Sequence, residues 1–345
     1  MSHVSSKILI SICIPSYNRP TQLVRLLESV DCTEEDVEIV ICEDRSPKRR
    51  EMRAEVEKFK SGSRYCVRYH ENKKNLGFDG NIRELVRLAD GHFIIFMGDD
   101  DLFLEGMLDR YKEFLRVKYE KKYVLRSYVS VHPDGTAELF KYMKNSTDFL
   151  PSQDVVAWLF KRSVSLAGFT IASKEAKLFC TDELDGTLLY QVFLMAQVCL
   201  RYEASYCDFP VVHAVQSFRL DKPHFGAAES EKQRYVPGVV SESNSVNFTA
   251  AYFEVTRYFD RLNGTDVTNL VRQDLSKYSY PFLSIQRKRG IKSFLRYAKR
   301  LEKELLLGCT PYFHLYKWSL VILNEKICDI IIVKLKTLLG RTPQL

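Results

Sequence analysis

The chain has 345 residues, of which 46% are hydrophobic and 28% charged, a composition typical of folded proteins and unlike that of disordered or collagen-like chains. This length predicts one enlarged domain or two. The formal charge of +7 is concentrated near the C-terminus, since residues 281–345 contain 13 Lys or Arg against 4 Asp or Glu. We therefore expect the C-terminal part to contact something anionic, and its apolar character favours a membrane surface over nucleic acid.

Cysteine usage and the N-terminal sequence bear on the cellular compartment. The nine cysteines form no CxxC pair, which indicates reduced thiols in the cytoplasm. The first residues, MSHVSSKILISICIPSYN, lack the architecture of a signal peptide. The sequence contains no uninterrupted run of about eighteen apolar residues, so it predicts no membrane span. We expect a cytoplasmic protein.

The first 120 residues alternate strand and helix patterns. Apolar runs of buried-strand length occupy residues 8–15, 37–42, 66–70 and 92–97. Apolar residues at helical spacing follow three of these runs, and Pro20 suits the first turn of the first helix. Strands separated by helices predict an α/β fold, with a mostly parallel sheet flanked by helices.

The remainder of the chain divides into three parts. Residues 121–220 combine shorter strands and helices, residues 221–245 form a polar stretch that predicts a flexible loop or boundary, and the pattern is helical from there on. We therefore expect a domain over 1–220 and a helical C-terminal extension over 221–345. In its last segment, KWSLVILNEKICDIIIVKLKTLL, charged residues interrupt a wide apolar face. The segment is either a helix that lies on a membrane or one that packs on the domain.

Polar residues follow three of the predicted strands, at the edge where α/β sheets bind ligands. The first strand ends in PSYNR, the second in Glu43 and Asp44, and the fourth in Gly98 and three aspartates. A charge beside a buried strand is costly unless it is paired or bound to a metal. These strand ends therefore predict one ligand site, with a solvated acidic turn as the alternative for the aspartates.

The motifs SICIPSYNRP, EIVICEDRSP and NLGFDGNIRELVRLADGHFIIFMGDDD resemble those of family 2 glycosyltransferases of the GT-A fold. The resemblance covers residues 8–115 and, more loosely, 116–215, and it is strongest to the abequosyltransferase-like group of bacterial O-antigen and capsule synthesis. It implies a nucleotide-sugar-binding half over 1–115 and an acceptor half over 116–220. It also implies sugar transfer from a nucleotide-sugar donor to a lipid-linked saccharide acceptor, with a divalent cation, Mg²⁺ or Mn²⁺.

The resemblance assigns roles to the ends of the first two strands. Asp44 matches the family carboxylate that accepts a hydrogen bond from the nucleobase, and Glu43 is its neighbour. Pro15, Tyr17 and Asn18 fall where the family packs the base and the ribose, a task that suits an aromatic ring.

The aspartates after the fourth strand match the DXD-type motif of the family. The resemblance makes Asp100 the direct metal ligand, with Asp101 near the metal or its waters and Asp99 near the ribose or the sugar. The chemistry agrees, because a hard divalent cation bridges carboxylates and a diphosphate that would otherwise repel each other. The cation also stabilises the departing nucleoside diphosphate.

A loop that enters a helix contains three further candidates for donor binding. Gly77 can supply a backbone conformation with positive φ, and Asn75 lies beside it. Asn81 either caps the helix or contacts the donor.

The family usually inverts the anomeric centre and needs one general base for the acceptor hydroxyl. In the segment TDELDGTLLYQVFLMAQ, Asp185 precedes the apolar run as the family base does, while Asp182 and Glu183 compete with it. The chain departs from the family at Gln191, where a positively charged residue is common. His213 either completes the metal site, as a late histidine does in some GT-A enzymes, or is structural.

Other classes lack their motifs. A nucleotidyltransferase needs a glycine-rich phosphate loop where this chain has PSYNRP, and no GxGxxG opens a helix as in dinucleotide oxidoreductases. A non-catalytic assembly or nucleotide-sugar-binding subunit that kept the fold is the remaining alternative. We therefore expect a metal-dependent glycosyltransferase of surface polysaccharide synthesis, peripheral at the inner face of the plasma membrane and bound there by its basic amphipathic C-terminal helices.

Overall fold

The computed structural model describes residues 8–33, 36–132, 135–215, 225–237 and 241–338. Ten strands in this part of the chain form one mixed sheet. They are β1 (Ile10–Ser16), β2 (Val37–Glu43), β3 (Cys66–Glu71), β4 (Phe93–Phe96), β5 (Leu102–Phe103), β6 (Tyr123–Val131), β7 (Ala137–Phe140), β8 (Thr147–Phe149), β9 (Phe169–Ala172) and β10 (Ala204–Val215).

Helices cover both faces of this sheet and form the C-terminal third. They are α1 (Pro20–Glu28), α2 (Arg49–Gly62), α3 (Gly77–Leu88), α4 (Met107–Val117), α5 (Gln153–Phe160), α6 (Ser173–Lys177), α7 (Tyr190–Cys199), α8 (Glu229–Lys232), α9 (Glu242–Asn263), α10 (Val267–Lys277), α11 (Tyr280–Arg287), α12 (Ile291–Lys303) and α13 (Pro311–Leu338).

The strand order is β3-β2-β1-β4-β9-β6-β10-β5, with β7 beside β6 and β8 beside β10. The first four strands of this order are parallel neighbours, so their carboxyl ends meet at one edge. Strand β9 runs antiparallel to both β4 and β6, and β10 runs parallel to β6. The predicted α/β fold, with a mostly parallel sheet between helices and a helical C-terminal region, is confirmed.

Two hydrophobic clusters hold the layers together. One packs α1, α2 and α4 on one face of the sheet, and the other packs α3, α5 and α7 on the opposite face. Strand β2 is buried on both faces because both clusters use its side chains, which explains its continuous apolar sequence.

The second cluster continues into the C-terminal helices without a break. It includes Val255 and Phe259 of α9, Val271 of α10 and Leu283 of α11 together with residues of β4 and α7. The domain boundary near residue 220, which stays a prediction, is therefore not marked by a separate core.

The polar stretch 221–245 contains ordered structure in its middle. Residues 225–237 include the short helix α8, and Ala228, Glu231 and Tyr235 are buried there. The expectation of a flexible loop is wrong for these residues, because their polar groups are used in buried hydrogen bonds. Residues 221–224 and 238–240 lie outside the described residues.

Helix α13 packs on the domain and also presents an apolar surface. Phe313, Leu320 and Cys328 are buried, and the helix bends at Asn324, whose backbone has φ 63°. Its outer side exposes large apolar side chains, among them Leu315, Trp318, Ile322, Ile327, Ile330 and Leu335. Packing on the domain, one of the two expected alternatives, therefore leaves a second face uncovered. None of the helices in the described ranges combines the length and apolarity needed to cross a bilayer.

Candidate active site

A cavity of about 650 Å³ opens at the carboxyl ends of β1, β2 and β4. Nine of the thirteen predicted site residues line it, namely Pro15, Tyr17, Asp44, Asn75, Gly77, Asn81, Asp99, Asp100 and Asp101. They meet because the strands are parallel and adjacent, so the residues that follow each strand converge at one edge. The predicted residues Asn18, Glu43, Asp185 and His213 do not line this cavity.

The aspartates after β4 surround the end of the Arg19 side chain. The Arg19 Nη1 atom lies 3.0 Å from Asp99 Oδ1 and 2.9 Å from Asp100 Oδ2. Asp99 Oδ2 also accepts a hydrogen bond from the Tyr17 backbone N–H at 3.1 Å. Arg19 therefore ties the end of β1 to the end of β4.

Asp101 folds back onto its own turn. Its Oδ2 accepts from the Gly98 N–H at 3.0 Å, and its Oδ1 accepts from the Val215 N–H at 3.0 Å. A Cβ atom at position 98 would lie 2.7 Å from Asp101 Oδ2, so only glycine permits this approach. Asp101 thus holds the turn and β10 in place.

The acidic turn is short of positive charge. Burial raises the pKa of Asp99 to about 6, since the Arg19 charge offsets only part of the desolvation. Burial also raises the pKa of Asp101 well above its ordinary value, and the neighbouring Asp100 carboxylate adds to the effect. A second cation beside these carboxylates would favour their ionised forms.

Asp44 organises the start of α3. Its Oδ1 accepts from the Leu76 N–H at 2.8 Å and from the Asn72 amide at 2.9 Å, and its Oδ2 accepts from the Gly77 N–H at 2.9 Å. These bonds satisfy N–H groups at the helix N-terminus. Burial nevertheless raises the pKa of Asp44 to about 6.

Three predicted donor-site residues make structural contacts, and of these only Asn81 also lines the cavity. Asn81 does not cap α3, because its amide donates to the Cys42 carbonyl oxygen and accepts from Asn72. Glu43 is fully buried, and its Oε1 accepts from the Ser46 N–H at 2.9 Å. Asn18 has φ 64°, a conformation that asparagine tolerates, and this backbone turn places Tyr17 and Arg19 on the cavity.

Asp185, the predicted base, is paired with Arg83 of α3. Both carboxylate oxygens accept from this guanidinium, the Oδ2 atom at 2.9 Å from Nη2. This pairing keeps the Asp185 side chain beside α3 and outside the cavity lining.

His213, a predicted metal ligand, lies in β10 opposite Leu102 and Val129. Among the residues that the structure describes, no three His, Cys, Asp or Glu side chains are grouped closely enough to hold a metal ion. The expected set of Asp100, Asp101 and His213 is therefore not assembled, because His213 is part of the strand ladder and Asp101 accepts backbone hydrogen bonds.

The walls of the cavity that come from residues after 160 were not predicted from sequence. Leu166, Leu188, Val215, Phe225, Tyr235 and several residues of α9, α11 and α12 line the cavity. Glu231 joins the two parts, since its Oε1 accepts from the Phe78 N–H at 2.8 Å and its Oε2 from the Gly226 N–H at 2.6 Å. Gly77 has φ 76°, as predicted, and its Cβ position lies 2.8 Å from Glu231 Oε1. No local sequence pattern identifies Glu231, because its partner is 153 residues away.

Comparison with known sequences identifies the N-terminal part. Residues 11–126 match the model of the glycosyl transferase family 2. Over 103 residues the chain is 35% identical to the abequosyltransferase RfbV of Salmonella typhimurium, covering 29% of this chain and 30% of that protein. It is also 22% identical over 188 residues to an uncharacterized glycosyltransferase of Methanocaldococcus jannaschii, covering 44% of this chain and 64% of that one. Both alignments therefore span less than two thirds of the curated relative.

Comparison with solved structures extends the similarity in fold to most of the chain. The crystal structure of S. aureus TarS 1–349 in complex with UDP has a TM-score of 0.50 and 14% identity, covering 96% of this chain and 92% of that one. The same protein in complex with UDP-GlcNAc also gives a TM-score of 0.50, covering 90% and 89% of the two chains. At this identity the likeness concerns the fold alone.

Proposed function

We propose that the protein is a glycosyltransferase that transfers a sugar from a nucleotide-sugar donor to a saccharide acceptor, because residues 11–126 match the glycosyl transferase family 2 model and most of the chain shares the fold of S. aureus TarS. The observation that carries the proposal is the single cavity in which Tyr17, Asp44 and Asp100 converge from three strand ends. The chain aligns over 103 residues with an abequosyltransferase, which supports a role in O-antigen or capsule synthesis.

We place the nucleobase at the Asp44 end of the cavity and the diphosphate at the aspartate turn. From the residues that the structure describes, Asp44 Oδ2 accepts one hydrogen bond, from the Gly77 N–H, so it keeps capacity for a donor group of the base. Tyr17 lines the same end, where its ring offers a stacking surface. Asn75 fixes the loop, since its side-chain oxygen accepts from the Gly77 N–H at 2.9 Å.

The residues at the turn fit a divalent cation. Asp100 lines the cavity, its side chain is 17% exposed, and it already pairs with the positive charge of Arg19. Mg²⁺ in nucleotide sites takes one or two carboxylates together with phosphate oxygens, so a site without three protein ligands is consistent with it. Bound at Asp100, the cation would neutralise charge on the diphosphate and on the departing nucleoside diphosphate. Arg19 can then turn toward a phosphate oxygen while Asp99 and Asp101 hold the turn.

The general base is proposed to be Asp185, with one condition. Its two oxygens are held by Arg83, so at least one must be released before it can accept the proton of an acceptor hydroxyl. Movement of the Arg83 side chain, which is 21% exposed, would provide this release.

The acceptor is proposed to be lipid-linked and to be met at a membrane surface. The outer side of α13 exposes apolar side chains, and the exposed Lys326 and Lys334 lie on the same helix. A helix of this kind binds an anionic bilayer through buried apolar area and electrostatic attraction. The proposed location is therefore the inner face of the membrane, where both a nucleotide sugar and a lipid-linked saccharide are accessible.

Binding of nucleoside diphosphates tests the donor proposal. UDP, GDP, CDP and dTDP are titrated with Mn²⁺ and without it, by thermal shift and calorimetry, against the full chain and Asp100→Asn. We expect one nucleotide to bind, with metal-enhanced affinity in the wild type and metal-independent affinity in the variant. The corresponding nucleotide sugar should be hydrolysed or transferred at least about 100-fold more slowly by the variant. Absence of binding by all four nucleotides would refute the proposal, and binding without turnover would favour a non-catalytic subunit.

A further inference from the structure

We propose that α9, α11 and α12 add an apolar arm to the donor cavity, and that this arm holds the hydrocarbon chain of the acceptor. The arm is defined by Phe248 and Thr249 of α9, Phe282 and Ile285 of α11 and Tyr297 of α12, all of which line the same cavity as Asp100. The inference rests on the proposed function, because it names the part of the acceptor that the cavity takes beyond the donor.

The walls of the arm offer a ligand apolar surface and few hydrogen bonds. Phe248 and Phe282 are half-buried, and each ring packs edge-to-face with Tyr252, with centroids 5.7 and 6.5 Å from it. Two hydroxyls of the walls bond to the protein: the Thr249 hydroxyl donates to the Ser245 carbonyl oxygen, and the Ser245 hydroxyl accepts from the Gln286 amide. The Tyr297 hydroxyl is hydrogen-bonded to Thr249. A sugar ring here would lose its hydrogen bonds to water without replacement, whereas a hydrocarbon chain makes no hydrogen bonds to water that it could lose.

The arm opens to the protein surface at Ile285. Ile285 lines the cavity and is 51% exposed, so it stands at the opening. Lys288 pairs with Asp329 at 3.4 Å, and the exposed Arg289 and Lys292 that follow it provide positive charge for a lipid phosphate. The opposite side of α11 contacts α13, since the Tyr280 hydroxyl donates to Asp329 at 2.6 Å and Arg287 Nε donates to the Leu320 carbonyl oxygen at 3.0 Å. Helix α11 therefore lies between the arm and α13, the helix that exposes the apolar face.

The chain length of a phosphate probe tests the arm. Farnesyl phosphate and methyl phosphate are compared as ligands of the full chain, below the critical micelle concentration, by calorimetry. Burial of each methylene should strengthen binding by roughly fourfold, so we expect farnesyl phosphate to bind at least 100-fold more tightly than methyl phosphate. A photoreactive diazirine analogue of farnesyl phosphate should label peptides of α9, α11 or α12 in the unmodified protein.

Two matched variants locate the hydrocarbon. Ile285→Glu places a charge at the mouth of the arm, and Ile322→Glu places one on the outer side of α13, where residue 322 is 76% exposed. We expect Ile285→Glu to weaken farnesyl phosphate binding by at least tenfold and Ile322→Glu to change it less than twofold, with unchanged nucleoside diphosphate binding in Ile322→Glu. The reverse order, or labelling confined to α13, would overturn the proposal, because the chain would then lie on the outer surface.

The donor and the hydrocarbon readouts separate the two proposals. Nucleoside diphosphate binding without any preference for farnesyl over methyl phosphate would overturn the arm and leave the proposed function intact. A preserved chain-length preference without binding of any nucleoside diphosphate would overturn the proposed function and support an apolar site in these helices.

Discussion

Asp79 should make the stability of the protein depend on pH in a predictable direction. It lies in the first turn of α3 and is 1% exposed. Its oxygens accept from the Leu188 N–H at 2.8 Å and the Tyr190 N–H at 3.0 Å, at the N-terminus of α7. Burial outweighs these two bonds and raises the pKa of Asp79 from 3.8 to about 7.

The sign follows from linkage between protonation and folding. Because the folded state holds this proton up to about pH 7 and the unfolded state releases it near pH 4, the contribution of Asp79 to stability is largest below pH 4 and is lost as pH rises through 7. Between pH 5 and the folded pKa the loss is about 1.4 kcal/mol per pH unit. The wild type should therefore lose roughly 3 kcal/mol relative to Asp79→Asn between pH 5 and pH 8.

The variant also carries a constant penalty, which the experiment separates from the titration. An asparagine amide nitrogen cannot accept, so one backbone N–H at the start of α7 loses its partner, at a cost of about 1–3 kcal/mol at every pH. Urea unfolding followed by far-UV circular dichroism at pH 5 and pH 8 gives the free energy difference at each pH. The exposed Asp182, changed to Asn, is the control and should give the same difference at both. A difference for Asp79→Asn that stays constant within about 0.5 kcal/mol would refute the reasoning.

Three further predictions concern the site and the C-terminal helices. Gly77→Ala should raise the donor KM and lower the stability of the protein by about 1–2 kcal/mol more than Gly106→Ala does. Both positions have positive φ, but only a Cβ at position 77 contacts Glu231 and Ala228, so equal losses of stability would contradict this contact. Asp185→Asn should slow transfer by about 10²–10⁴-fold without weakening nucleotide binding, and unchanged transfer would exclude Asp185 as the base. Ile322→Glu should reduce co-sedimentation of the protein with anionic vesicles, whereas Val117→Glu should not, because Val117 is similarly exposed but lies on α4. Equal sedimentation of both variants and the wild type would reject the membrane role of α13.

The residues at the strand ends could be predicted from sequence because each strand is recognised from a short local pattern. The residues that follow β1, β2 and β4 are fixed by short apolar runs, and adjacent parallel strands bring them together whatever the rest of the chain does. The positive φ at Gly77 was predictable for the same reason.

Contacts between distant segments could not be predicted in this way. Asp185 has the sequence context of a base, yet Arg83, 102 residues earlier, takes both of its oxygens. Helix α2 escaped prediction because only Met52 and Val56 of its charged sequence are buried. The polar composition of residues 225–237 suggested a loop, but the Glu231 carboxylate is buried and accepts hydrogen bonds from two backbone N–H groups.

The Glu231 carboxylate has a consequence for how the protein responds to its substrate. One side chain joins the start of α3 to the segment before α9. If a nucleotide binds more tightly when these two hydrogen bonds are formed, linkage requires the bound nucleotide to favour their formation by the same coupling free energy. Residues 11–126, the segment that matches the family model, therefore supply only part of the cavity, because its other walls come from residues between Leu166 and Tyr297.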